Sequence, residues 1–331
     1  MKSTLIIGGA GFIGLNIASK LSLDKDYDIT IADNFFRGKK DNYFNEIIKR
    51  DNVQIIEGDF TKISEYTKLE KSFDQVYMLA GIVGVEYTSK MPTEVIRANS
   101  MLILNYLEWM KKSGSKKILY SSTSECYAGT IDIFKYKTPT DEKIPLCISD
   151  IYNSRYTYAI TKILGESACI HYAKENKFSS TIIRYHNVYG PRMGFKHVIP
   201  QVIVRFINKE NPFRIIGYNQ TRAFNYLDDA VNGTISAMES EKANDEIFHI
   251  GDMNSEITIE ELVKYIGELV DYKGEFLLVE AHPGSVMKRC PDINKAMSIL
   301  NYKVLSNWKD GVKKTVKWYV EYINSGGKIY E

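Results

Sequence analysis

Thr4-Leu5-Ile6-Ile7-Gly8-Gly9-Ala10-Gly11-Phe12-Ile13-Gly14 decides the fold of this chain. An apolar run that reads as a strand meets glycines at 8, 11 and 14 and passes straight into a helical stretch, the context that raises a glycine triplet above chance. Glycine permits a tight turn and lets a pyrophosphate approach the backbone, while the helix N-terminus offers free amides and a partial positive charge. The expected site is therefore a dinucleotide cradle made by Gly8, Gly11, Phe12, Ile13 and Gly14. Asp33, with Asn34 beside it, stands about 20 residues further on, where a carboxylate binds ribose hydroxyls and repels a 2'-phosphate. NAD is expected rather than NADP. Arg37, Lys39 and Lys40 weigh toward NADP and are read as a solvated basic loop. Asp59, in Gly58-Asp59-Phe60, is placed for the adenine edge, and Leu79-Ala80-Gly81 is small where the nicotinamide half must pass.

Outward from that stretch, residues 4–7, 27–32, 53–57, 75–79, 117–121 and 179–184 read as strands, with helices over 12–22, 93–112 and 156–176. The alternation predicts an α/β fold, a Rossmann-type doubly wound parallel sheet over residues 1–184 that binds NAD. After Gly190-Pro191 the pattern changes to helices at 198–208, 259–270 and 308–322 and short strands at 213–216 and 247–250. These predict a smaller mixed α/β substrate lobe over residues 185–331, with the chain returning to the sheet near 223–226. The polar stretch 128–153, broken by Pro139 and Pro145, reads as a long excursion beside the site.

With 331 residues, 44% apolar, 25% charged and a net charge of +2, the chain has an ordinary globular composition. That balance gives no electrostatic case for nucleic acid. Cys126, Cys147, Cys169 and Cys290 lack metal-ligand spacing, so no metal is expected and the thiols are read as reduced. No apolar run reaches membrane-spanning length, and the N-terminus is too short for a signal-peptide core. Cytoplasmic residence without membrane contact is expected.

Tyr158-Ala-Ile-Thr-Lys162 carries the chemistry. Positions four apart share a helix face, so Lys162 can hold an ammonium near the Tyr158 phenol, and a nearby positive charge favours phenolate. Such a tyrosine can take a proton from an alcohol while hydride leaves the same carbon. Upstream, Ser121-Ser122-Thr123-Ser124-Glu125 ends a strand in hydroxyls and one acid. Asp228-Asp229 reads as a helix N-cap pair.

Taken in order, these residues resemble the extended short-chain dehydrogenase/reductases that act on nucleotide-diphosphate sugars. The resemblance covers nearly the whole chain and rests on the glycine fingerprint, Asp33-Asn34, Gly58-Asp59, Ala98-Asn99, Ser122-Thr123-Ser124-Glu125, Tyr158 with Lys162, Asn187-Val-Tyr-Gly-Pro-Arg192, Thr221-Arg222-Ala-Phe and Pro291-Asp292. It implies that Thr123 hydrogen-bonds the reacting hydroxyl, Tyr158 is the base, and Lys162 holds the nicotinamide ribose. The shared first step would be hydride transfer from sugar C4 to NAD. Ser124, Asn187, Arg192, Arg222 and Arg289 would contact the nucleotide sugar, the arginines its diphosphate.

Glu125 distinguishes branches of the family, because simple UDP-galactose 4-epimerases lack an acid there. Thr-Ser-Glu resembles GDP-mannose 4,6-dehydratases and UDP-glucuronate decarboxylases, and Lys288-Arg289-Cys290-Pro291-Asp292 is similar to the decarboxylase tail. Ser124 stands where dTDP-glucose dehydratases carry aspartate. The segment from 125 to 158 is longer than is common in the family, and Met78-Leu79-Ala80-Gly81 replaces a histidine-containing strand end. Similarity to bacterial capsule and surface-sugar enzymes slightly favours a GDP-sugar such as a mannose or heptose. The leading expectation is a 4-keto sugar or its epimer, with dehydration or decarboxylation through Glu125 as alternatives and a non-catalytic sensor as the reading from another class. By the same resemblance, helices 93–112 and 156–176 imply a homodimer or homotetramer.

Overall fold

The computed structural model describes residues 1–69, 72–281 and 286–329. Its first half supplies β1 (Lys2–Ile7), α1 (Phe12–Leu21), β2 (Tyr27–Asp33), α2 (Asn42–Ile47), β3 (Val53–Glu57), β4 (Gln75–Met78), α3 (Val85–Lys90), α4 (Pro92–Ser113), β5 (Lys117–Thr123), α5 (Ala128–Phe134), α6 (Tyr156–Glu175) and β6 (Ser179–Tyr185). The six strands and a seventh, Glu246–Ile250, make one parallel sheet in the order Glu246–Ile250, β6, β5, β4, β1, β2, β3. This is the expected doubly wound sheet. Strands such as Leu5–Ile7 and all of β4 are buried on both faces, which explains their unbroken apolar runs.

Two apolar layers cover the sheet. Leu15, Ile17 and Ala18 of α1 pack with Leu227, Ala230 and Ala296 on one face, while Leu102, Tyr106 and Trp109 of α4 and Cys169 and Ala173 of α6 cover the other. Strand order reverses between β1 and β4, so their carboxyl ends open a crevice, the usual ligand position in such sheets. A third core joins Ile199, Ile203 and Phe206 to Leu262, Ile266, Val312 and Tyr319.

Several expectations are corrected. The strand at 247–250 belongs to the large sheet, beside β6, and not to the smaller lobe. The return near 223–226 does not occur: Asn225–Tyr226 pairs with Val188–Tyr189, and Thr221–Ala223 pairs with Glu256–Thr258 and Lys288–Arg289. That small sheet carries Arg222 and Arg289 side by side in register. The excursion after residue 128 begins with α5. Asp229 is no cap, because Tyr226 occupies that position; its carboxylate instead accepts the backbone amides of Leu305 and Ser306 at 3.1 and 3.0 Å.

Candidate active site

A cleft of about 1210 Å³ runs from the glycine turn across the ends of β4 and β5 to the small sheet bearing Arg222. That exceeds the roughly 300–1,000 Å³ of one small-molecule site, so it suits two ligands lying end to end. The cofactor half is built locally. Gly8 has a φ of +83°, and a Cβ there would lie 2.6 Å from the Ala80 nitrogen. A Cβ on Gly14 would meet the Gly8 oxygen at 2.5 Å, so only glycine brings α1 this close to the turn. Gly11 stands at the α1 N-terminus with no side-chain cap, leaving its amides to the cleft that Phe12 and Ile13 also line.

Asp33 closes the lip. It accepts the amides of Ala10 and Phe35 at 3.0 and 2.8 Å, and burial raises its pKa against those hydrogen bonds and the Arg192 charge. These are the residues that could hold a dinucleotide at this end of the cleft. Asn34 turns its side-chain oxygen to the Phe36 amide. Asp59 accepts the Thr61 hydroxyl at 2.7 Å and lines the cleft, whereas the Phe60 ring is mostly core, packed on Tyr66. Of the basic loop, Lys40 lies out in solvent as expected, while Arg37 and Lys39 do not. Arg37 stacks over the Tyr87 ring at 5.9 Å, and burial lowers the Lys39 pKa to about 8.

The chemical half centres on the end of β5. Tyr158 and Lys162 project from one face of α6, with the Lys162 ammonium 5.7 Å from the Tyr158 ring centre and 2.6 Å from the Ser121 carbonyl. Burial lowers the Lys162 pKa to about 8. Burial drives the Tyr158 pKa upward, with Thr123 and the Arg37 charge opposing it. The expected lowering of the Tyr158 pKa is not seen, because desolvation of the phenolate outweighs the groups that favour it. Behind the strand, Ser122 hydrogen-bonds Glu166, which pairs with Arg184 at 2.7 Å in full burial.

Glu125 leaves the strand on a short 3-10 helix, Ser124–Tyr127. Its carboxylate meets Arg289 at 2.6 Å and Arg155 at 3.8 Å. Burial would raise its pKa, yet Arg289, Arg155 and Arg222 together hold it below the ordinary carboxylate range. Arg222 donates to the Thr221 carbonyl at 2.7 Å and to Gln220 at 3.2 Å, and among the described residues it contacts no carboxylate. Burial and Arg289 lower its pKa to about 9. Ser124 and Asn187 line the same space, Asn187 with a φ of +28°.

Arg192 stands apart. It binds Asp41 at 2.6 Å and the Lys39 carbonyl at 3.0 Å, on the cofactor loop, and does not join Arg222 and Arg289. Arg155 was missed in the sequence; lying three residues before Tyr158, it was open to the helical-face spacing that found Lys162. Among the described residues no cluster of metal-ligating side chains occurs, and no helix is long and apolar enough to cross a membrane. All four cysteines are free.

The site geometry defines an extended short-chain dehydrogenase/reductase. The chain belongs to the NAD dependent epimerase/dehydratase family, whose profile matches residues 4–251. It is 33% identical over 332 residues to UDP-N-acetyl-alpha-D-glucosaminuronate decarboxylase of Bacillus cytotoxicus, covering 98% of this chain and 99% of that one. Among solved structures, UDP-glucose 4-epimerase of Thermotoga maritima with UDP-glucose superposes with a TM-score of 0.84 at 28% identity, covering 97% of this chain and 99% of that one. UDP-glucuronic acid 4-epimerase of Bacillus cereus, in complex with UDP-glucuronic acid and NAD, also gives 0.84, at 26% identity with 96% and 99% covered. The chain is an NAD-dependent enzyme that modifies a nucleotide sugar.

Proposed function

We propose that the enzyme oxidises C4 of a UDP-linked uronic acid and then expels its carboxylate as carbon dioxide. One observation carries this reading: Glu125, bound to Arg289 at 2.6 Å, sits in a pocket charged by two further arginines, Arg155 and Arg222. Three guanidinium groups around one carboxylate leave positive charge for a substrate with both a diphosphate and an acid. The Bacillus cytotoxicus relative supports the reading, and because the relatives carry UDP-sugar names, UDP takes precedence over the GDP favoured from sequence.

NAD, when bound, would supply the hydride acceptor and a positive charge that favours phenolate. Tyr158 takes the proton of the C4 hydroxyl, Thr123 holds that hydroxyl, and Lys162 fixes the ribose edge. Arg222 and Asn187 hold the diphosphate, with Ser124 against the sugar. Arg192 moves from substrate contact to bracing the cofactor loop. Once C4 is a ketone, the acid is a β-keto carboxylate: the C5–C6 bond breaks, its electrons enter the enolate, carbon dioxide leaves, and a proton returns to C5. Arg289 and Arg155 orient the departing group, and Glu125 relays the proton. Return of the hydride to C4 closes the cycle, and the product is a nucleotide sugar one carbon shorter, an activated sugar of the kind consumed in surface-polysaccharide assembly.

C4 epimerisation of the same substrate is the second reading, supported by the Bacillus cereus structure; it uses the same oxidation but gives Glu125 no proton to move. The test is a panel of UDP-glucuronate, UDP-N-acetylglucosaminuronate, UDP-glucose and a GDP-hexose, followed by carbon dioxide release and proton NMR. Carbon dioxide from a uronate is expected. An epimer that keeps its carboxylate, or turnover of neutral sugars alone, overturns the proposal. Exposed Ile96 and Met101 of α4 and Leu164 of α6 support assembly through these helices as a homodimer or homotetramer, checked by sedimentation.

A further inference from the structure

Tyr127 ends the 3-10 helix that carries Glu125, and its buried hydroxyl lies 2.6 Å from Nε2 of His186. His186 is itself buried between Tyr185, the last residue of β6, and Asn187, which lines the substrate end of the cleft. One side-chain hydrogen bond therefore joins the acid-bearing turn to the substrate-lining strand end. His249 packs on both partners, with ring centres 5.5 Å from Tyr127 and 5.1 Å from His186. The same node gathers the remaining segments of the site. The His249 amide donates to Glu142 at 2.8 Å, and Thr140 exchanges backbone hydrogen bonds with Cys290 and Asp292 at 2.9 and 2.7 Å, beside Arg289. A Cβ on Gly251 would come within 2.7 Å of Pro291 and 3.0 Å of His186, so this glycine lets the arginine-bearing tail close against the imidazole.

Thr123, Tyr158 and Lys162 adjoin this node, since Thr123 accepts the Glu125 amide at 3.3 Å and Arg184 lies over the Tyr127 ring at 5.8 Å, but their main supports are elsewhere. They are held by β5 and α6, through the Ser121 carbonyl and the Ser122, Glu166 and Arg184 network. Glu125, by contrast, sits on the same short 3-10 helix as Tyr127, two residues before the hydroxyl that meets His186. Burial and the neighbouring His249, Arg289 and Arg184 keep His186 neutral, so the link is an uncharged hydrogen bond.

We propose that His186 is a positioning residue: through Tyr127 it fixes Glu125 relative to Arg289 and Asn187, and so governs the step after C4 oxidation without touching the substrate. This rests on the decarboxylase reading above. The variants His186→Phe and Tyr127→Phe each keep a ring and remove the hydrogen bond; Tyr127→Phe deletes a single oxygen, so the test does not depend on His186→Phe folding. With the substrate that the parent decarboxylates, carbon dioxide release should fall about tenfold in each, the size of one neutral hydrogen bond. Bound-NADH formation and KM should stay within about twofold. The double variant should be no slower than either single one, as for two partners in one contact. His186→Gln, which can still bond the Tyr127 hydroxyl, should recover part of the loss. Equal loss in both steps, or single effects that multiply in the double variant, overturns the proposal. A parent that oxidises a sugar without releasing carbon dioxide defeats the decarboxylase reading instead; the clamp is then read in deuterium exchange at the ring carbon next to C4, where an unchanged rate overturns it.

Discussion

The two halves of the cleft are built on opposite plans. The cofactor half is built around one stretch, β1 through β2, in which glycine conformations and one carboxylate do most of the work. The substrate half draws Glu125, Arg155, Arg222 and Arg289 from four distant segments and balances them by charge. A local site is set by backbone shape and tolerates change elsewhere in the fold. A dispersed site depends on each segment arriving, so its function is the more easily uncoupled from its chemistry's first step.

The largest effect should fall where the halves meet. Tyr158→Phe removes the base that serves both and should slow NADH formation about 10²- to 10⁴-fold, with substrate affinity little changed. Stopped-flow absorbance checks this; a loss below tenfold would give the proton to another group.

Glu125→Gln separates the halves. Bound NADH should still form within a few-fold of the parent, while carbon dioxide release and ring-proton exchange fall by about 10²-fold. Normal final product would make Glu125 structural, and loss of NADH formation would join the two halves into one unit.

Within the local half, Asp33→Ala should weaken NAD about 10- to 100-fold, the range of a hydrogen bond to a charged group, and narrow the gap to NADP. Calorimetric titration with both cofactors measures it. Unchanged NAD affinity would show that the glycine turn alone holds the ligand.

The smallest effect concerns stability. Burial pushes the pKa of His186 well down, that of His197 to about 4 and that of His249 to about 3, from 6.5. Above pH 6.5 their contribution is fully present. As pH falls toward the folded values, the unfolded chain takes up protons that the folded chain refuses, so stability drops. Asp33 and Glu142, whose pKa values burial raises, act in the opposite sense at the acid end. The melting temperature should therefore decline between about pH 6.5 and 4.5, before most carboxylates titrate. His249→Asn should flatten that slope; an unchanged slope would place the acid sensitivity elsewhere.

How much was legible follows the same division. The glycines, Asp33, Tyr158 and Lys162 could be placed around one cleft because turn geometry and helical spacing act over a few residues, whereas Thr123 and Glu125 were singled out through motif resemblance. Arg222 and Arg289 were found through motif resemblance, yet nothing local placed them in adjacent strands. Arg192 was assigned to the substrate and lies on the cofactor loop, because its position after Gly190-Pro191 says nothing of where the chain then packs. Arg37 and Lys39 were read as solvated since charge alone does not reveal that Tyr87 and Phe195 lie against them.

By itself, the sequence determined the parallel sheet, the glycine turn and the shared helix face of Tyr158 and Lys162, because periodicity, glycine and i to i+4 spacing are properties of short segments. Tertiary structure alone decided that Glu246–Ile250 completes the sheet, that burial and not Lys162 dominates the Tyr158 phenol, and that Tyr127 meets His186. Those outcomes depend on burial and on contacts between residues far apart in the chain, and both exist only once the core has closed.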